Sequence, residues 1–175
     1  MKRPTHIMLG AAVAMPIAVS LSPGLALGAV WFGMAGGGFP DWLDLRSELR
    51  SPLRLRHRGA SHGLPLGILL TIGVWIALRA ASATTIDLGS LALHVPADAI
   101  QPWTIAFGLG FLSHLLSDAW TVAGIRPLLP IASFRFWIVP KVLRGRSSGP
   151  LDFLARFVAM CGILAGVVAY AMVHV

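Results

Sequence analysis

The chain has 175 residues, 56% of them hydrophobic and only 12% charged, with a mean hydropathy of +0.77. Soluble domains run at about 45–50% apolar and about 25% charged, so this composition excludes an ordinary water-soluble enzyme and points to one membrane-embedded domain. The net charge of +7 would suggest nucleic acid in a soluble protein. Here the basic residues sit in short loops between apolar runs, where membrane topology and anionic lipid headgroups account for them, and no nucleic-acid partner is expected.

Residues 7–38 are apolar throughout but are interrupted by Pro16 and by Ser22-Pro23-Gly24. Such signals break helices, so two short helices, 7–20 and 24–35, are predicted in a tight or re-entrant hairpin. Each reaches only about 20 Å at 1.5 Å per residue. The same stretch also fits a secretory signal, with Met1-Lys2-Arg3 as its basic start and Ala26-Leu27-Gly28 as a cleavage site. Cleavage there would discard His6 and leave the next arginine cluster outside, against the charge bias.

Residues 39–61 read as a basic loop carrying Asp41 and Asp44, then Arg46, Arg50, Arg54, Arg56 and Arg58. Three runs, 62–81, 101–124 and 151–173, approach the ~20 residues that a bilayer requires. The segment 82–100 has no Lys or Arg, whereas the segment before 151 carries Arg126, Arg135, Lys141, Arg144 and Arg146. The positive-inside rule places both basic segments in the cytoplasm and 82–100 outside. The expected fold is therefore an all-α integral membrane protein, a short N-terminal helical hairpin plus three transmembrane helices, multi-pass in a bacterial inner membrane. Cys161 has no cysteine to pair with and reads as a packing residue.

This topology rests on Lys and Arg alone, yet it gathers His6, Asp41, Asp44, His57, His62, His114 and Asp118 at one membrane face, while His94 and His174 fit no cluster. His6 opens the first helix, Asp41 and Asp44 follow the hairpin, and His57 and His62 frame the next helix. His114 and Asp118 lie toward the cytoplasmic end of the helix after that. Four residues apart, His114 and Asp118 share a helical face, and ionisable groups at that depth mark a functional site by default. Imidazole nitrogens with carboxylate oxygens suit zinc first, or manganese or iron, and such sets build hydrolytic centres. A carboxylate outside the coordination sphere, Asp41 or Asp44, could serve as general base.

Blander assignments compete residue by residue. His6 could be an interfacial residue, Asp41 and Asp44 helix caps, and His57 part of a headgroup-binding loop. His114 with Asp118 could be a structural hydrogen-bonded pair. Two other functions use the same residues: a metal-ion carrier in which they form a transit site, and a non-enzymatic membrane adaptor in which they hold helices together.

The motifs together resemble the bacterial inner-membrane-associated metal-dependent hydrolases, some of which are under LexA (SOS) control. The matching residues are His6, Pro40-Asp41 with Asp44, His57-Arg58-Gly59-Ala60-Ser61-His62, and Gly110-Phe111-Leu112-Ser113-His114-Leu115-Leu116-Ser117-Asp118. Thr121-Val122-Ala123-Gly124 and the proline-rich 127–130 are also similar. The family usually has its two aspartates one residue apart, whereas here they are Asp41-x-x-Asp44. The resemblance implies a hydrolase of an ester or phosphoester, a lipid or lipid-linked molecule among the options. His6, Asp41, His57, His62, His114 and Asp118 would be metal ligands or their immediate neighbours. Ser61 and Ser113 would hydrogen-bond within the site, and Arg58 would neutralise a phosphate.

Overall fold

Five α-helices take up the apolar runs in the structure, a computed structural model that describes residues 1–50, 59–87 and 92–174. They are α1 (Arg3–Ala18), α2 (Pro23–Arg50), α3 (Leu64–Ser82), α4 (Ile100–Ala119) and α5 (Pro150–His174). A two-residue ribbon, Ile86–Asp87 against Ala92–Leu93, and three short 3₁₀ turns complete the described elements. Among the described residues, three segments are long and apolar enough to cross a membrane: Leu64–Ser82, Ala97–Ala119 and Pro150–His174. They correspond to the three spans expected from the sequence.

The hairpin departs from expectation at its second arm. Instead of ending near residue 35, α2 runs on through Pro40 to Arg50, so Asp41 and Asp44 stand on a helix and not in a loop. A proline inside a helix removes one hydrogen bond and crowds the carbonyl four residues earlier. That local penalty is outweighed here because Pro40 is fully buried in the bundle. The arms are consequently unequal, about 24 Å for the 16 residues of α1 and about 42 Å for the 28 of α2.

Contacts along the helices give their relative directions. Gly10 and Ala14 of α1 meet Gly33 of α2, and His6 meets Gly37, so α1 and α2 are antiparallel. Gly28 faces Trp103 and Gly36 faces Phe107 and Phe111, so α2 and α4 run parallel. Gly67 lies on Phe111 and Gly108 on Thr71, making α3 and α4 antiparallel, while Thr5 and Met15 of α1 meet Asp152 and Gly166 of α5. The start of α1, the end of α2, the start of α3, the end of α4 and the start of α5 therefore share one end of the bundle.

Close backbone approach makes this possible. A Cβ added at Gly110 would run into the carbonyl oxygen of Gly33, and one at Gly33 would stand 2.5 Å from the carbonyl oxygen of Gly10. Small residues at such crossings are the usual means by which membrane helices pack without a hydrophobic driving force. By contrast, α3 and α5 expose Ile68, Leu69, Ile72 and Ile76, and Phe153, Phe157, Leu164 and Val168, as helices facing lipid do.

Helix α4 stops five residues before the expected boundary at 124. The hydroxyl and the backbone N–H of Thr121 both donate to the carbonyl of Asp118, at 2.8 and 3.0 Å. Gly124, at φ +64°, then completes a turn in the left-handed region that side chains disfavour. The segment 120–149 folds back over this end of the bundle, with Val122 N–H bonded to Gly145 C=O and Leu64 N–H to Pro127 C=O.

Candidate metal centre

Each histidine at this end is fixed by a different part of the fold, and each is fixed the same way. His114 donates from Nδ1 to the carbonyl of Gly37 at 2.8 Å. A carbonyl can only accept, so the proton of a neutral His114 ring is on Nδ1 and Nε2 carries a lone pair. The Ser117 hydroxyl has one proton, which goes to the carbonyl of His114 at 2.9 Å. It therefore accepts from His6 Nδ1 at 3.0 Å, and His6 Nε2 is left with its lone pair. Ser61 donates to the Asp44 carboxylate and so accepts from His62 Nδ1 at 3.0 Å. Nδ1 thus carries the proton in all three rings, and Nε2 is the atom each turns toward the centre, the orientation that a metal ligand requires.

Those nitrogens converge on two carboxylates. His6 Nε2 lies 3.4 Å from Asp118 Oδ1, and His62 Nε2 lies 3.6 Å from Asp41 Oδ1 and 3.9 Å from Asp118 Oδ2. His114 Nε2 is 3.9 Å from both Asp41 Oδ1 and Asp118 Oδ2. Direct N–H···O bonds are about 2.7–3.2 Å, so these are spacings across a gap. Two ligands each about 2.1 Å from a tetrahedral zinc lie about 3.4 Å apart. The donor set thus fits one small divalent ion. His6, His114 and Asp118 form one compact triplet and Asp41, His62 and His114 another. Both contain His114, which has one free lone pair, so the triplets are overlapping parts of a single centre.

Burial sharpens the case. His6, His62, His114 and Asp118 are each 1% exposed or less, and His114 Nε2 has no hydrogen-bond partner among the described residues. The His6 and His114 rings stack with centroids 3.8 Å apart. Two carboxylates in so dry a place need compensating positive charge. Part of it comes from the Met1 ammonium, 2.6 Å from Asp118 Oδ1. The side chain of Asp41 is the most open of the five, at 15%. Burial alone would raise its carboxyl, but His62, His114 and His6 around it outweigh that and hold it below the ordinary value.

Five of the residues singled out in the sequence, His6, Asp41, His62, His114 and Asp118, therefore come together. Asp44 does not join them as a base: its oxygens reach Ser61 and, at 3.6 Å, His62 Nδ1, on the far side of the ring from the centre. It is a positioning group for His62. Ser113 also falls outside, donating to the carbonyl of Gly110 at 2.7 Å within its own helix. His57 and Arg58 lie outside the described residues.

The family model for "YdjM inner membrane protein" matches residues 1–174. The chain belongs to the YdjM inner membrane protein family. Membership agrees with the three membrane-capable helices and carries the inner-membrane assignment. The search of curated proteins and the search of solved structures each found no match.

In this YdjM family member, two supporting residues escaped the sequence reading. Ser117 sets the His6 tautomer. Asp152, buried at the start of α5, accepts from Lys2 N–H at 2.9 Å, from the Thr5 hydroxyl at 2.8 Å and from Arg156 at 3.0 Å. Arg156 in turn donates to Thr5 at 2.8 Å. This staple fixes the first turn of α1, one residue from His6. Asp152→Ala is expected to lower stability by about 1–3 kcal/mol, the cost of buried donors left without an acceptor. Zinc affinity should fall about 10–100-fold, the range for loss of a ligand's support. Isothermal titration with zinc checks it, and unchanged affinity would remove Asp152 from the account.

Proposed function

We propose that this protein is a membrane-bound, metal-dependent hydrolase of a phosphoester or ester, working at the cytoplasmic leaflet. The observation that carries the reading is the convergence of the Nε2 atoms of His6, His62 and His114 on Asp41 and Asp118. The cytoplasmic side is supported by the charge pattern, since Lys and Arg concentrate in the sequence between α2 and α3 and between α4 and α5, while the segment between α3 and α4 has none.

A bound zinc, manganese or iron would supply Lewis acidity and a water acidified toward neutrality. The chain's own residues do the rest. His6, His62, His114 and Asp118 hold the centre rigidly, and their burial keeps bulk water from competing. Asp41, facing the open side, takes the proton from the attacking water. The water oxygen bonds to phosphorus or acyl carbon, the ester oxygen leaves with the bonding pair, and the proton passes from Asp41 to that oxygen. Arg58 is suited to pairing with the substrate phosphate by charge and planar fork.

The test uses the full chain in detergent micelles with bis(p-nitrophenyl) phosphate and p-nitrophenyl butyrate. Zinc- or manganese-loaded protein should hydrolyse at least one of them, chelation should abolish the rate, and re-addition of metal should restore it. His62→Ala should be inactive under all conditions. A rate unaffected by chelation and by His62→Ala would come from a contaminant and refute the reading.

A further inference from the structure

Between α4 and α5, residues 120–149 carry Arg126, Arg135, Lys141, Arg144 and Arg146 and no Asp or Glu. One side of this segment is fastened to the bundle. Ile138 N–H donates to the carbonyl of Ala119 at 3.3 Å, and Ile125 and Phe136 exchange backbone bonds at 3.1 and 2.8 Å. Ile125 is buried in a cluster with Phe111, Leu115 and Ala119, and the indole of Trp137 donates to the Val122 carbonyl at 3.3 Å. Arg144 stacks over that indole, 4.2 Å from its centroid, and donates to the Val139 carbonyl.

The other side is apolar and open. Val142 is 90% exposed, Ile131 79% and Leu143 63%, and Phe134, Phe136 and Ile138 are exposed as well. Apolar side chains scattered singly over a surface are ordinary, but six between Ile131 and Leu143 make a patch that marks an interaction site. Because the backbone is pinned to α4, these side chains cannot turn inward together.

Three features of the segment select its partner. It joins the ends of two membrane-capable helices, so it begins and ends at a bilayer boundary. Apart from the 3₁₀ turn Lys141–Leu143, its backbone is not helical, which keeps it out of the hydrocarbon and confines it to the interfacial layer. Its charge has one sign, and the exposed Arg135 and Lys141 stand directly beside Phe134, Phe136 and Val142 in the chain. Cations interleaved with aromatic and aliphatic side chains suit an anionic lipid interface.

We propose that residues 126–146 form an interfacial belt on an anionic lipid surface, with Ile131, Phe134, Val142 and Leu143 entering the acyl boundary. Arg135, Lys141 and Arg146 then pair with lipid phosphates. The belt would hold the end of the bundle that carries the His/Asp cluster level with the headgroups. It rests on exposure, charge and placement, and is independent of any metal or hydrolytic activity.

The test starts from the full chain with its one cysteine removed, Cys161→Ser. Ile131→Cys and Val142→Cys each carry a nitroxide. Val168→Cys, on the lipid face of α5, and His94→Cys, exposed between α3 and α4, serve as references. In phosphatidylglycerol–phosphatidylcholine vesicles, labels at 131 and 142 should collide more with dissolved oxygen than with a nickel chelate, as at 168 and opposite to 94. In phosphatidylcholine alone, or with Arg135, Lys141 and Arg146 all changed to Gln, that preference should shift toward the value at 94. The label at 168 should stay unchanged, which shows that the bundle is intact. Labels at 131 and 142 that read as aqueous in the anionic vesicles would overturn the proposal. An undiminished membrane preference in neutral lipid and in the Gln variant would also overturn it, since anionic lipid would then have no role. Labels shielded from both reagents, with spin–spin broadening relieved by unlabelled protein, would overturn it in favour of a second copy on this face.

Discussion

His114→Ala should purify without bound metal and should lose the thermal stabilisation that zinc gives the wild type. The ring supplies the one nitrogen common to both ligand triplets, and it packs between His6 and His62 with centroid distances of 3.8 and 4.9 Å. Its removal also deprives the Gly37 carbonyl of a donor inside the α2–α4 contact. A ligand that binds only the folded state stabilises it by about 2.7 kcal/mol at a hundred times its dissociation constant. Wild type in detergent should therefore melt several degrees higher with saturating zinc, and the variant should show no shift. A variant that is merely less stable but gains as much from zinc would mean that His114 packs helices and does not bind metal.

Gly110→Leu should be the most damaging single change in the bundle that touches no ligand. Its side chain would drive into the carbonyl of Gly33 and stand about 3.0 Å from the Gly37 backbone nitrogen. Overpacking of this kind costs about 1–3 kcal/mol and sometimes more. Since Gly110 lies one turn before His114, forcing α4 from α2 also breaks the His114–Gly37 bond and spreads the triplets. Loss of metal should therefore accompany the drop in Tm. Gly73→Ala is the control: nothing lies within 4 Å of its added Cβ, and alanine is the better helix former by about 1 kcal/mol. Equal destabilisation by both substitutions would show that close approach at Gly110 is unimportant.

The positions of the site residues could be read in the chain because ionisable residues are scarce in an apolar sequence and Lys and Arg alone orient the helices. That logic places His6, Asp41, Asp44, His57, His62, His114 and Asp118 at one membrane face. The course of α2 could not be read, since the local cost of Pro40 was legible and the burial that outweighs it was not. Asp44 behaved likewise: its role depends on where Ser61 lies, a contact across 17 residues. Ser117 was legible. It stands three residues after His114, on the same helical face. Asp152 also left a signal, an aspartate four residues before Arg156 in an otherwise apolar helix.

The measurement that bears most directly on the central claim is elemental analysis of the full chain, purified from metal-supplemented cells, beside His114→Ala and Asp118→Ala. A single centre built from overlapping triplets predicts about one zinc, manganese or iron per wild-type chain and none in either variant. A wild type that carries no metal, and takes up none on incubation with zinc or manganese, would contradict the centre and leave the His/Asp cluster a structural joint between helices.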